Sequence, residues 1–168
     1  MPNDNPHAVI LMGVAGSGKT AVGTQTAARL HWLFLDADNF HPPANIEKMK
    51  HGIPLNDADR VPWLQRLHDE LQHQTNAGRS VILACSALKE SYRKILRDEA
   101  LQPTFVYLDV DPETISARLS QRAAHFFPKA LMDSQFAALE KPKDAVVIDA
   151  RKPLDEVVDA VAQLLKTR

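Results

Sequence analysis

The stretch GVAGSGKT, residues 13–20, constrains the fold of this chain more than any other. It matches the pattern G-x-x-x-x-G-K-[ST] in full, follows an apolar run at 8–12 and leads into a helical pattern. Glycines at this spacing let successive backbone amides point at phosphate oxygens, while Lys19 supplies a cation and Thr20 a hydroxyl for Mg²⁺. Strand, turn and helix together predict a site for a nucleotide polyphosphate.

The predicted nucleotide-binding residues of this loop are contiguous apart from Val14: Gly13, Ala15, Gly16, Ser17, Gly18, Lys19 and Thr20. The alternative is a glycine-rich turn in which the lysine and the threonine are coincidental. The reaction stays open at this point, because the same loop serves kinases, GTPase switches and ATP-driven motors.

Five short apolar runs are separated by longer segments with helical patterns. The runs occupy residues 8–12, 32–36, 80–85, 104–110 and 145–149. They are nearly continuous in apolar residues, which is typical of strands covered on both faces. The clearest helical segments occupy residues 18–30, 60–77, 87–99, 111–123 and 153–166. We therefore predict one α/β domain over residues 1–168, with a parallel, doubly wound sheet.

The composition favours a small-molecule partner. The chain is 45% hydrophobic and 24% charged, with a formal net charge of -1, so no overall field favours a nucleic acid or a membrane surface. Cys85 is the only cysteine and cannot form an intramolecular disulfide. The N-terminal segment has no basic flank, and its apolar run is too short for a signal peptide or a membrane span. We expect a cytoplasmic enzyme or switch.

Two acids stand at the end of the second apolar run, in FLDADNFH at residues 34–41. Asp36 and Asp38 share one face if the run is a strand. We expect this strand to lie beside the first, so that both carboxyl ends meet at the ligand cleft. One carboxylate then acts on Mg²⁺ through water and the other accepts a proton from an incoming hydroxyl. The alternative is that Asp36 ends the strand and Asp38 caps the next turn.

Three longer segments carry a family resemblance: DADNFHPPANIEKMKHGIPLNDADRVPWLQRL, CSALKESYRKILR and HFFPKALMDSQFAALEKP. Together with the phosphate loop they resemble the gluconokinase family, ATP-dependent kinases of D-gluconate related to shikimate kinase. The resemblance spans roughly residues 9–149. It implies a three-layer P-loop NTPase fold with a five-stranded parallel sheet and a lid at about residues 119–135. It also implies ATP and Mg²⁺ as cofactors, D-gluconate as substrate and a homodimer.

The resemblance also implies roles for the acids and for one arginine. Asp38 is similar to the residue that contacts the accepting hydroxyl and is our candidate general base, while Asp36 stands nearer the magnesium water shell and is the reserve candidate. Arg60 corresponds in order to the arginine that grips the substrate carboxylate in shikimate kinase. Its alternative is a surface pair with Asp57 or Asp59.

Further candidates follow from the family resemblance and their position. Those for the substrate are His41, Ser86, Arg122, His125 and Gln135, and those for the nucleotide are Arg118 and Arg151. Arg122 is also the candidate for stabilising charge on the transferring group. A packing role for His41 and exposed positions for Arg118 and Arg122 are the alternatives. Lys89 and Arg93 face either the acid substrate or solvent.

The chain departs mildly from the family pattern and leaves other functions open. Ala37 stands where the family usually has Gly, and Phe127 where it usually has Met, which bears on substrate fit or turnover. The alternatives are a kinase of another small sugar acid or a shikimate-like substrate, and a nucleotide-dependent switch. A GTPase switch would carry N-K-x-D, and the sequence has none.

Overall fold

A parallel β-sheet forms the centre of the protein, in a computed structural model that describes residues 5–121 and 129–168. Its strands are β1 Ala8–Met12, β2 Leu33–Asp36, β3 Val81–Ala84, β4 Thr104–Asp109 and β5 Val146–Asp149. The order is β2-β3-β1-β4-β5, and all neighbouring pairs are parallel. The predicted five-stranded α/β fold is confirmed, and each strand lies within its predicted run.

Helices connect the strands and cover both faces of the sheet. They are α1 Lys19–Leu30, α2 Pro43–Lys50, α3 Asp57–Asn76, α4 Glu90–Ile95, α5 Pro112–Ser120, α6 Lys129–Ala138 and α7 Leu154–Lys166, with a 3₁₀ turn at Ala37–Phe40. None of the helices in the described ranges is long and apolar enough to cross a membrane.

The core consists of two apolar clusters separated by the sheet. All of β1 is buried, and its side chains alternate between the clusters because successive strand residues point to opposite faces. Ile10 packs with Leu64 and Leu67 of α3, while Leu11 packs with residues of α1 and α7. This two-sided burial explains the continuous apolar runs in the sequence.

The strand order corrects one prediction. β2 does not lie beside β1, because the long crossover through α2 and α3 returns the chain as β3 between them. In register, Asp36 is opposite Ala84, and Ala84 is opposite Leu11. The acid-bearing end of β2 is therefore two strand spacings, roughly 10 Å, from the strand that carries the phosphate loop.

Three predicted helices have different bounds. α3 begins earlier than predicted because Asn56 and Asp59 form a reciprocal capping box. α4 is much shorter than the predicted 87–99, since Ala87 has a φ of 46° and Lys89 is extended. α5 ends at Ser120, and the residues predicted to continue it to 123 lie partly outside the described ranges. α6 covers the C-terminal part of the predicted lid, and the lid itself stays a prediction.

Candidate nucleotide and substrate site

A cleft of about 790 Å³ opens at the carboxyl ends of the strands. The phosphate loop and the start of α1 form its floor, the ends of β2 and β3 form one side, and α5 with the loop before α7 forms the other. The predicted site residues that line it are Ala15, Gly16, Ser17, Gly18, Lys19, Thr20, Asp36, Asp38, Ser86, Arg118 and Arg151. Phosphate loop and paired acids thus face a common space.

The phosphate loop has a backbone that only glycine fits. Gly16 has a φ of 84°, and a Cβ there would lie 3.1 Å from Cγ2 of Ile115. Gly13 has a φ of 151°, and its Cβ would lie 3.0 Å from Oγ of Ser17 and 3.1 Å from the carbonyl oxygen of Leu108. The loop backbone is therefore pressed against α5 and β4. This geometry fits a polyphosphate held by main-chain amides.

Lys19 extends over the phosphate loop. Its ammonium donates hydrogen bonds to the carbonyl oxygens of Gly13 and Val14, each at 3.0 Å. Burial lowers the pKa of Lys19 to about 8, against the opposing effect of the nearby acids Asp38 and Asp36. A phosphate oxygen is a better partner than two neutral carbonyls for this cation. Thr20 follows on the exposed edge of the cleft.

Gln135 also contacts the phosphate loop. Its Oε1 accepts a hydrogen bond from the Ala15 amide at 3.1 Å, which links α6 to the loop across 120 residues. From the sequence we expected Gln135 to contact the substrate. Its contact in the structure is on the nucleotide side, so the substrate assignment stays a prediction.

The paired acids have unequal surroundings. Asp36 accepts a hydrogen bond from the Asp38 amide at 2.9 Å and so caps the 3₁₀ turn. Capping is thus done by Asp36, whereas the sequence alternative gave it to Asp38. Asp38 is exposed, and its carboxylate has no hydrogen-bond partner within residues 5–121 and 129–168. Asp38 is therefore the better placed of the two to meet a substrate hydroxyl.

Trp63 and His41 form a buried wall beside these acids. The Trp63 indole donates to the carbonyl oxygen of Ala37 at 2.8 Å, and the His41 ring stacks on it at 4.3 Å between centroids. The Asn45 amide nitrogen lies 3.3 Å from Nδ1 of His41. Burial lowers the pKa of His41, so the ring packs as neutral imidazole. The packing alternative for His41 is thus observed, and Trp63 is a cleft residue that the sequence analysis missed.

Arg60 belongs to a cluster of four side chains from α3 and the α4 region. Its Nη1 lies 3.3 Å from the Tyr92 hydroxyl and 3.9 Å from Oδ1 of Asp57. Lys89 donates to both Asp57 oxygens at 3.1 and 3.3 Å, and the Tyr92 hydroxyl donates to Oδ1 at 2.5 Å. We call Asp57, Arg60, Lys89 and Tyr92 the Asp57 cluster. Arg60 is not among the residues that line the cleft, and its pairing with Asp57 matches the alternative named above.

The segment after β3 is held by a buried arginine. Arg93 is 1% exposed and donates to the carbonyl oxygens of Ala87 at 2.6 Å and Glu140 at 2.9 Å, and to the Glu90 carboxylate at 3.0 Å. The expectation that Arg93 faces substrate or solvent is therefore wrong. The backbone carbonyl oxygen of Ser86 accepts a hydrogen bond from the Gly13 amide at 3.2 Å, which connects this segment to the phosphate loop.

Cys85 follows the end of β3, and its thiol is uncharged. Burial raises the pKa of its thiol to about 12. The side chain therefore stays protonated at neutral pH and acts as a small apolar residue.

Two arginines shape the other side of the cleft. Arg118 donates to the carbonyl oxygens of Ala150 and Lys152, the latter at 3.1 Å. Arg151 pairs with Asp149 at 2.9 and 3.0 Å, and this contact lowers the pKa of Asp149 to about 2. Both arginines therefore fix the loop between β5 and α7.

Known proteins resemble this chain over most of its length. A family model described as an AAA domain matches residues 9–142. The gluconokinase of Gluconobacter oxydans is 50% identical over 139 residues, which cover 83% of this chain and 78% of that protein. A gluconokinase structure from Sinorhizobium meliloti 1021 is 36% identical, covers 97% of both chains and superposes with a TM-score of 0.80. The chain belongs to the gluconokinase family.

The broader relationship concerns the fold alone. A shikimate kinase from Acinetobacter baumannii superposes with a TM-score of 0.65 at 18% identity, covering 98% of this chain and 95% of that one. The gluconokinase family and shikimate kinase therefore share the sheet and its flanking helices.

Two predicted residues of the gluconokinase site, Arg122 and His125, lie outside the described residues. Within the described ranges, no three His, Cys, Asp or Glu side chains are grouped so as to hold a metal ion. Thr20 and Asp36, the residues predicted to hold Mg²⁺, line the same cleft and would supply a hydroxyl and a carboxylate to it. Trp63 and Tyr92 were not expected from the sequence, because no motif spacing marks either residue.

Proposed function

We propose that this protein transfers the γ-phosphoryl group of ATP to D-gluconate, giving ADP and 6-phospho-D-gluconate. The observation that carries the proposal is that the phosphate loop and the paired acids of a gluconokinase-family chain line one cleft. The two strand spacings between β2 and β1 leave room for a sugar acid between the acids and the loop.

The transfer itself needs positioning more than strong base chemistry. The primary hydroxyl oxygen of gluconate forms a bond to the γ-phosphorus as the bond from that phosphorus to the bridging oxygen breaks. Asp38 accepts the hydroxyl proton, and ADP leaves with the electron pair of the broken bond. Lys19 exchanges its two carbonyl partners for phosphate oxygens and offsets charge on the leaving group.

Mg²⁺, when bound, would offset phosphate charge and orient the transferring group. Thr20 would hold it through its hydroxyl, and Asp36 through water. Asp36 already orients the Asp38 amide, so it links the metal side of the cleft to the candidate base.

The remaining site residues have proposed roles. Arg60 binds the substrate carboxylate, with His41, Ser86, His125 and Gln135 near the sugar chain. Arg122 stabilises the transferring group, and Arg118 and Arg151 stand on the nucleotide side, where they already order the loop before α7. A lid over about residues 119–135 would exclude water, which competes with gluconate for the phosphoryl group.

We also propose a cytoplasmic homodimer that binds neither nucleic acid nor membrane. The composition and the resemblance to homodimeric relatives support this. Light scattering coupled to gel filtration measures the oligomeric state, and a mass of one chain would contradict the dimer.

The decisive experiment measures ADP release from ATP and Mg²⁺ with and without D-gluconate. Gluconate-dependent release together with 6-phosphogluconate by mass spectrometry is the expected result. A panel of other sugar acids and shikimate tests the substrate, and a preference for any of them over gluconate would overturn the specificity. A nucleotide-dependent switch would show no gluconate dependence.

A further inference from the structure

The Asp57 carboxylate is surrounded as a bound carboxylate ligand would be. Two donors form hydrogen bonds to it, the Tyr92 hydroxyl at 2.5 Å and the Lys89 ammonium at 3.1 Å, and the Arg60 guanidinium forms an ion pair with it at 3.9 Å. These donors come from α3 on one side and from α4 with its preceding residue on the other. An arginine, a lysine and a phenol hydroxyl are the side chains that recognise carboxylates most directly.

The helix does not need this carboxylate for capping. The capping box at the start of α3 is made by Asn56 and Asp59, which satisfy each other's backbone amides. The Asp57 side chain is 61% exposed, so rotation into water would cost it little. Asp57 can therefore leave its three partners without unfolding the first turn.

The two cations would repel each other without a carboxylate between them. The Arg60 guanidinium and the Lys89 ammonium lie 5.7 and 5.6 Å from the centroid of the Tyr92 ring. Asp57 offsets this repulsion, and hydrogen bonds from Tyr92 and Lys89 hold its pKa below the usual range. An anionic ligand that reached the cluster would serve the same purpose.

The cluster lies next to the cleft. Arg60 precedes the cleft residue Trp63 by one turn of α3, and Lys89 follows the cleft residue Ser86 by three positions. Arg60 and Asp38 act on the pKa of His41 in opposite directions, which places both charges close to the same ring. A substrate with a hydroxyl at Asp38 thus has a cationic group near the same ring, toward which its carboxylate can extend.

We propose that Arg60, Lys89 and Tyr92 together form the receptor for the substrate carboxylate, and that Asp57 is an internal carboxylate that the substrate displaces. The inference rests on the proposed function and adds Lys89 and Tyr92 as specificity-determining residues. It also assigns Asp57 a competing role, so its removal is expected to strengthen substrate binding.

Two substitutions with opposite expected signs test this. Lys89→Ala should raise the KM for D-gluconate about 10-fold or more with kcat nearly kept, because a charged hydrogen-bond donor is lost. Lys89→Arg should restore most of the affinity. Asp57→Asn should lower this KM several-fold, because the competing charge is gone. Glu113→Gln, which removes a carboxylate from the first turn of α5 away from the cluster, is the matched control and should leave KM unchanged.

A neutral analogue separates carboxylate recognition from general damage. D-glucitol has a hydroxymethyl group in place of the carboxylate, and its inhibition constant should be the same in wild type, Lys89→Ala and Asp57→Asn. The inference is wrong if Asp57→Asn raises the gluconate KM. It is also wrong if Lys89→Ala raises the glucitol inhibition constant and the gluconate KM by the same factor, because the cluster then only connects α3 to α4. If wild type does not phosphorylate gluconate at all, the proposed function fails instead.

Discussion

The phosphate loop and the Asp57 cluster present their hydrogen-bond donors in different ways. At the phosphate end, contiguous residues present backbone amides, and glycine conformations at Gly13 and Gly16 make close approach possible. In the Asp57 cluster, our proposed carboxylate end, Arg60, Lys89 and Tyr92 come from α3 and the α4 region, about 30 residues apart in the sequence. A binding site made of main-chain amides can be recognised from the spacing of residues in the sequence. A binding site made of side chains from two helices depends on how those helices pack.

The two ends also satisfy their donors differently. Lys19 and the Ala15 amide bond to protein carbonyl and amide oxygens, which are neutral. The donors of the Asp57 cluster bond to a full carboxylate. An incoming phosphate therefore replaces weak partners, while an incoming sugar acid must compete with an equal charge.

Lys19→Ala removes the only lysine or arginine side chain within the phosphate loop and should have the largest effect. We expect kcat to fall about 1,000-fold or more, because charge on the transferring and leaving groups is no longer offset. Steady-state ADP release measures this, with circular dichroism to confirm folding. Lys166→Ala at the end of α7 is the matched control. Retention of substantial activity would mean that the phosphate end does not depend on its lysine.

Asp38→Asn tests the candidate base, which lines the same cleft as the phosphate loop. We expect kcat to fall about 100-fold, at the low end for a general base, since phosphoryl transfer asks little of it. ATP affinity, measured by calorimetry, should be kept. Asp36→Asn is the comparison variant. If kcat falls more in Asp36→Asn than in Asp38→Asn, Asp36 is the general base and Asp38 is not.

Arg60→Ala tests the carboxylate end alone. The KM for gluconate should rise about 10- to 100-fold with little change in kcat or in ATP affinity, because a charged donor to the substrate is lost. Kinetics with gluconate and ATP varied in turn separate these quantities. An unchanged KM would mean that Arg60 does not bind the substrate and only forms the surface ion pair with Asp57.

The smallest expected effect is on the pH dependence of ligand binding, which should differ between ATP and gluconate in the unmutated protein. Lys19 has a pKa of about 8, lowered by burial, and phosphate contact favours its charged form. Below pH 8 the lysine is already charged, so binding needs no proton. Above pH 8 ATP binding should take up a proton, and the Kd should rise by up to about tenfold per pH unit.

Calorimetry at pH 7 and pH 9, in two buffers of different ionisation enthalpy, measures this proton uptake. Gluconate binding is the internal control. Asp57 raises the pKa of Lys89 above its ordinary value, so the carboxylate end stays charged from pH 7 to 9. An ATP affinity that is flat over this range would contradict the assigned environment of Lys19.

Local patterns predicted most of the fold and the phosphate end. Continuous apolar runs located all five strands, because burial on both faces leaves that signature. The glycine spacing located the loop, because each glycine is required where it stands. The prediction that β2 lies beside β1 was wrong, because β3 lies between them. The residues of a strand do not show between which strands the following crossover connection places the next strand.

Long-range contacts explain the other differences. The bond between Gln135 and Ala15 spans 120 residues, and the Asp57 cluster joins positions 32 to 35 apart. The helix predicted over 87–99 begins only at Glu90, because Ala87 has a φ of 46° and its carbonyl oxygen accepts from Arg93, which we expected to face the substrate or solvent. Each of these depends on tertiary packing, which no local period encodes.

The buried Arg93 has a consequence for local opening. Its guanidinium joins Ala87 and Glu140, while the Glu140 amide donates to Leu88 at 2.8 Å and the Glu140 carboxylate accepts from the Glu90 amide at 2.9 Å. Separating the segment around Ala87 from the segment around Glu140 would leave the buried Arg93 guanidinium without its partners. We therefore expect these contacts to break together. Amide hydrogen exchange at Glu90 and Glu140 should therefore follow one shared rate, and the two backbone stretches form a single cooperative unit.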